Sequence, residues 1–410
     1  MEIGLKHGLW GQEKEIKFYL PDNWNISFLE MNGDKKHVLN ENEIKNAVSS
    51  IMPLIKEKLT ETCEICVVFD DLSRPTKTHK IIPYIIELLD RFHIKEEQVR
   101  FLCGVGTHAA LDNNAFRKKL GEEALERFSV YNHNPYENCE YIGKTRLGTP
   151  VIINKEYLSC NVRIGIGSFT PHAFCGFGGG YKIIMPAISH IDSIEYHHGK
   201  LLQSYRESCF SLGKYKNNPL MNDIIESGII AGLDIKIDCL INTRADITDI
   251  YAGQPDDLYN YMLSVAPIHY STNIPYKADI VFANSLSKAN EAVISLSVAE
   301  SLLKDNSGDI VLLCDVPEGQ IVHYLFGRFG KTTWGRLPFG IRKKPDKVRN
   351  VFIYSRYKDK ANEFWFGIEK NIYWSKDLEE IIKIIEKEYK AKTPDVLILP
   401  DATIQNPINM

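Results

Sequence analysis

The sequence predicts an α/β protein of two units, each a mainly parallel sheet flanked by helices, with a site between them. Three observations carry this. A strand–loop–helix alternation recurs three times in the first half of the chain. A second series of strand-like and helical runs follows Gly253. The chain has 410 residues, 44% of them hydrophobic, enough for more than one core.

Taken in order, Glu15–Leu20 alternates as a strand before a turn at Pro21–Asp22. Asn42–Thr60 has helical periodicity, with Ile44, Val48, Ile51 and Ile55 on one side. Glu64–Phe69 (EICVVF) reads as a buried strand, and the loop Asp70–Thr76 (DDLSRPT) follows it. Lys80–Phe92 is a helix, and Gln98–Cys103 a strand opening into GVGTH, Gly104–His108. Asn113–Phe128 is a charged amphipathic helix, and Val162–Ile166 a third strand. In such sheets ligands bind beyond the carboxyl ends of the strands, so the three loops are expected to converge.

Pro267–Tyr276 reads as a linker, which divides the chain into units 1–267 and 268–410. In the second, smaller unit, strands are expected at Ala278–Ala283, Asp309–Cys314, Asn350–Tyr354 and Asp395–Leu399. Helices are expected near Asn290–Lys304, Lys358–Glu369 and Lys376–Tyr389. The aromatic, Gly-rich run Tyr324–Phe339 reads either as a lid or as a long ordered loop.

A net charge of −4 and a pI near 6.3 give no global attraction to nucleic acid or to an anionic membrane. Nine cysteines, an odd number, point to reduced thiols in a cytoplasm rather than to a disulfide framework or zinc ribbon. No signal peptide or membrane-spanning run is seen.

The chemistry concentrates in Ser168–His198. His172, the glycines Gly176, Gly178, Gly179 and Gly180, Lys182 and the pair His197–His198 lie in one short segment. Glycine permits close backbone approach to an anion, histidine moves protons or binds metal, and lysine pairs with phosphate or forms a covalent bond. GFGGGYK lacks the Walker form, since Ile183 follows Lys182, and GVGTH is not a dinucleotide fingerprint, since Ala109 stands where glycine is needed. Adjacent helical residues point about 100° apart, so the His197–His198 pair offers a single metal ligand.

Each feature has a plainer reading. Asp71, Ser73 and Pro75 suit a helix start as well as Arg74 suits a carboxylate or phosphate clamp. GVGTH fits a glycine turn capped by Thr107, Lys182 a solvated side chain, and Cys103 and Cys175 buried apolar packing. Asp192 reads as a helix-start acid, and His79, His133, His190, His269 and His323 carry no spacing signal.

DDLSRPT, GVGTH, PHAFCGFGGGYKIIMPAI and the downstream His198 together resemble the lactate racemase family in motif and in spacing. The resemblance implies an isomerase, a racemase or epimerase of a 2-hydroxy acid working by reversible hydride transfer to a nickel-pincer nucleotide. That cofactor is pyridinium-3,5-bisthiocarboxylic acid mononucleotide carrying nickel. By resemblance Lys182 tethers it, His198 ligates nickel, and Gly104, Gly106, Thr107, Gly178, Gly179 and Gly180 approach it. His108 and His172 resemble the acid–base pair, Arg74 the substrate-carboxylate clamp, and Asp71 a group orienting the site. The first unit would carry cofactor and histidines, and the second would close over the substrate. Partners implied are a small 2-hydroxy acid and the enzymes that make the cofactor.

The helix after Asn284 departs from family members acting on lactate, which carry Gln and Lys there. Here it offers Asn290, Glu291 and Ser295, with Val293 and Leu296 near those positions and Lys288 as a substitute. A non-lactate secondary alcohol, a non-catalytic nickel- or cofactor-binding homologue, and a phosphoryl-transfer enzyme are the alternatives.

Overall fold

A computed structural model describes residues 1–409, apart from 12, 210–211, 322, 326–329 and 332–341. Most of the run Tyr324–Phe339 therefore lies outside the described residues.

The first sheet has six strands in the order Ile247–Gly253, Ile235–Ile241, Val162–Ser168, Ile65–Asp70, Val99–Gly104, Ser129–Asn132. All neighbours are parallel except the first two. Ile65–Asp70 (ICVVFD) is buried along its whole length, as expected of a strand covered on both faces. The helix Ile82–Arg91 covers it with Ile82, Ile85, Ile86, Leu88 and Leu89. The strand order reverses between Ile65–Asp70 and Val162–Ser168. Their carboxyl ends therefore leave a crevice from which two of the three candidate loops emerge.

The second sheet is wholly parallel, in the order Ile372–Ser375, Val348–Tyr354, Gly308–Leu313, Ile280–Asn284, Asp395–Leu399, Asn25–Phe28. Its last strand corrects the expected 1–267 division. Asn25–Phe28 pairs with Asp395–Leu399, and the antiparallel hairpin Glu2–His7/Lys14–Tyr19 packs on the same sheet. Ile3, Leu5, Phe18, Leu20 and Trp24 bury themselves against Ile280, Phe282 and Val311, with Phe18 stacked on Phe282 at 5.7 Å. The start of the chain thus completes the second unit.

Several expected elements divide. Asn42–Thr60 becomes helices Glu41–Ser49 and Met52–Lys58, with Pro53 in the first turn of the second, where its missing N–H does no harm. Asn113–Phe128 breaks at Gly121, whose φ of 89° only glycine adopts freely. Pro267–Tyr276 is no linker: the helix Pro255–His269 runs through Pro267, and Ser271–Asn273 then pairs with Asn406–Ile408. Lys358–Glu369 holds only a 3₁₀ turn, Lys360–Trp365. No helix among the described residues is long and apolar enough to cross a membrane.

Candidate active site

The carboxyl ends of both sheets open onto one cavity of about 920 Å³. It is lined by Asp71, Arg74, Gly104, Gly106, Thr107 and His108 from the first two loops. His172, Gly178, Gly179, Lys182 and His198 line it from the segment singled out in the sequence, and Lys288 from the second unit. Gly180 stands apart from the other predicted residues. It is not in the lining, and its N–H is spent on Asp238 at 2.6 Å.

The loop after Ile65–Asp70 caps no helix. Asp71 accepts from the Ser73 N–H at 2.9 Å and from the Ser73 hydroxyl, and its other oxygen meets His108 Nδ1 at 2.6 Å. That contact places the proton on His108 Nδ1 and leaves Nε2 as the ring's lone-pair nitrogen. Burial pushes the Asp71 carboxyl up, but His108, Arg74 and Ser73 outweigh it and hold it at about 2. GVGTH turns at Gly106, which has φ of 53° and donates to the Ala187 carbonyl at 2.9 Å.

His172 has the opposite proton arrangement. The N–H groups of Phe174 and Cys175 point at its Nδ1 from 3.4 and 3.3 Å, so Nδ1 is the acceptor and Nε2 carries the hydrogen. Burial, then Lys182, Lys288 and Arg74, keep this ring neutral, well below the usual histidine range.

The histidine pair lies in a π-helical stretch, Glu195–Leu201, inserted between helical turns Ile191–Ile194 and Leu202–Cys209. Such insertions often mark functional positions. His197 Nε2 faces the Leu220 carbonyl at 2.8 Å and so carries hydrogen. Its Nδ1 then accepts from His198 Nδ1 at 3.0 Å, which leaves His198 Nε2 with the lone pair. Burial chiefly lowers both rings, His197 to about 4. A neutral imidazole oriented by a hydrogen bond from its other nitrogen is what a metal ligand requires. Only His198 of the pair lines the cavity.

Lys182 lies 3.8 Å from Cys175 Sγ and over the Phe174 ring, which is edge-on to both His172 and His198. Burial pushes its ammonium down from the usual lysine range.

Two residues that the sequence left unassigned stand among these groups. Glu291 accepts from Arg74 Nη1 at 3.1 Å and faces His323 Nε2 at 3.5 Å. His323 packs edge-on to His108, with ring centroids 4.9 Å apart. Glu291 was only one of several polar groups near the helix start, and His323 lies on a loop with no periodicity to flag it. Lys288 is buried and donates to the Pro171 carbonyl at 2.9 Å, and Ser295 is turned inward onto Ser285 at 2.8 Å.

Residues 11–209 match the family described as lactate racemase N-terminal domain. Among curated proteins the chain is similar to the lactate racemase of Thermoanaerobacterium thermosaccharolyticum, at 24% identity over 86% of this chain and 81% of that protein. It is similar at 24% identity to the lactate racemase of Lactiplantibacillus plantarum, over 65% of this chain and 64% of that protein. In fold it is similar to the lactate racemase apoprotein of T. thermosaccharolyticum, with a TM-score of 0.72, 20% identity and full coverage of both chains. A Thermotoga maritima protein has a TM-score of 0.67 at 15% identity, over 91% of this chain and 100% of that one.

Proposed function

Because the chain belongs to the lactate racemase family, a family of isomerases, we propose that it inverts C2 of lactate or a related 2-hydroxy acid. We propose further that it does so with a nickel-pincer nucleotide attached to Lys182 and ligated by His198. One observation carries this reading: a single cavity gathers a buried lysine, a neutral histidine with its lone pair free, two histidines in opposite tautomers, and an arginine.

The residues suit such a group. The Ser168 hydroxyl lines the cavity, buried and without a hydrogen-bond partner among the described residues. A Cβ at Gly199, beside His198, would meet nothing within 4 Å. The cavity also exceeds what a three-carbon acid fills. Imidazole and sulfur donors suit nickel. When bound, the nucleotide supplies a hydride acceptor, which avoids forming a carbanion beside a carboxylate.

The chain's own residues do the rest. Arg74 binds the carboxylate through its planar fork and fixes the acid end. His108 accepts the hydroxyl proton at Nε2, and Asp71 stabilises the imidazolium that forms. His172 offers its Nε2–H to the substrate oxygen from a different loop. Inversion leaves that oxygen on the opposite side, which is why two imidazoles serve better than one. The second unit excludes water and keeps the keto acid from leaving.

A second reading is favoured by Glu291, which already engages Arg74, and by the apolar residues Val293, Ile294, Val298, Phe364 and Trp365 that line the same cavity. These favour a 2-hydroxy acid larger than lactate.

The test is intact-mass and nickel analysis of the full chain co-expressed with cofactor-making enzymes, followed by a chiral screen of 2-hydroxy acids. Expected are an added mass lost in Lys182→Ala, nickel lost in His198→Ala, and interconversion of at least one pair of enantiomers. Loaded protein that leaves the whole panel unchanged overturns the reading.

A further inference from the structure

We infer that His108, Glu291 and His323 form a second metal site, built across the two units and taking a divalent cation of the zinc class. Among the described residues these three bring one ligand atom each to within 4.8 Å of one another. No role proposed above uses His323, or Glu291 as a ligand.

The donor set is two imidazoles and a carboxylate, a combination that holds zinc and related borderline ions while leaving a position for a further ligand. Its surroundings match that of a metal ligand set. His108 gives its Nδ1 to Asp71 at 2.6 Å, so Nε2 is the donor left for an ion, in the carboxylate–histidine–metal arrangement that orients such rings. Glu291 gives one oxygen to Arg74 at 3.1 Å and turns the other toward His323. The carboxylate is thereby fixed in direction. Around a tetrahedral ion with bonds near 2.0 Å the donors lie about 3.3 Å apart, close to the 3.5 Å that already separates His323 from Glu291, so binding draws the side chains together by at most about 1.5 Å.

The ligands come from three loops. His108 follows Val99–Gly104 of the first sheet, Glu291 follows Ile280–Asn284 and His323 follows Gly308–Leu313 of the second. An ion held there clamps one unit to the other. It takes the same His108 Nε2 that accepts the hydroxyl proton in the proposed reaction, so the ion-loaded chain does not turn over. The inference does not depend on nickel, on His198 or on racemase activity.

The experiment is calorimetric titration of the metal-free full chain, without nucleotide, with Zn²⁺, and absorption spectroscopy with Co²⁺. Expected is a site that weakens about tenfold or more in His323→Ala and in Glu291→Gln. It weakens about tenfold in Asp71→Asn, where only the orienting bond is changed, and persists in His198→Ala. Zn²⁺ should also raise the unfolding temperature of the wild-type chain and not that of His323→Ala. Absence of Zn²⁺ binding, or binding unchanged in both ligand variants, overturns the inference. Should a variant fail to fold, the wild-type Co²⁺ spectrum decides. Visible d–d bands without thiolate charge transfer support a nitrogen–oxygen site, and a thiolate band or no d–d band refutes it.

Discussion

Glu291 shows how one side chain alters the meaning of its neighbours. In the role proposed for it Arg74 clamps the substrate carboxylate; paired with Glu291 it is a clamp for which an incoming carboxylate must compete. Burial pushes the Glu291 carboxyl up, but Arg74 and His323 outweigh it and hold it well below the usual range, so the pair is fully ionised. Glu291→Gln removes the competing charge and keeps the shape. KM for a monocarboxylate 2-hydroxy acid should then fall several-fold with little change in kcat, as steady-state kinetics would read. The two histidines differ from this. His108→Ala and His172→Ala should retain nickel by metal analysis yet lose about 10²–10⁴-fold in turnover, the range for a removed acid–base group. Turnover near wild type in either variant removes that residue from proton transfer.

At the scale of elements, the segment Gly178–Ile188 owes its place to helices behind it. The helix Pro219–Ala231 carries Gly228 where a Cβ would lie 2.3 Å from Tyr181 Cδ1. Alanine in a helix is worth about 1 kcal/mol over glycine, whereas an overpacked contact costs about 1–3 kcal/mol. Overpacking wins, so Gly228→Ala should lower the unfolding temperature. Because Tyr181 adjoins Lys182, it should also slow the gain of mass at Lys182 on intact-mass analysis. A stabilised variant with normal attachment would show that Tyr181 yields freely. The histidine helix makes a related point: a periodic pattern from Asp192 to Leu202 marks a helix, but only its π-helical turn lets His198 line the cavity while His197 turns to Leu220. Local periodicity does not distinguish the two windings.

For the whole molecule, the contact between the two units is tied to charge. Lys288, buried beneath the Pro171 carbonyl, crosses between the units. Burial first and Arg74 next lower its ammonium from 10.5 to about 8. Below pH 8 the lysine is charged both folded and unfolded, and the full desolvation penalty is present. Between pH 8 and 10.5 the folded chain sheds this proton while the unfolded chain keeps it, so this group's contribution to stability rises with pH. Urea unfolding of wild type and Lys288→Met across that window should show the wild type gaining on the variant. Parallel curves would place the charge outside the fold's balance.

The sequence by itself determined the central strands of both sheets, the order of the candidate loops and their residue types, because buried parallel strands are continuous apolar runs; edge strands such as Ser129–Asn132, Ile247–Gly253 and Ile372–Ser375, and the inner Ile235–Ile241, were not marked by it. Asp71, Arg74, His108, His172, Lys182 and His198 were legible for that reason, as members of compact motifs at strand ends. Tertiary structure decided what long-range pairing alone specifies. It put Asn25–Phe28 in the second sheet, since a strand pattern does not name its partner. It joined Glu291 and His323 to Arg74 and His108, since side chains from different sheets have no shared periodicity. It assigned the protons of His108, His172 and His198, since a tautomer is set by the hydrogen bond at the other ring nitrogen, and those partners arrive only when the chain folds.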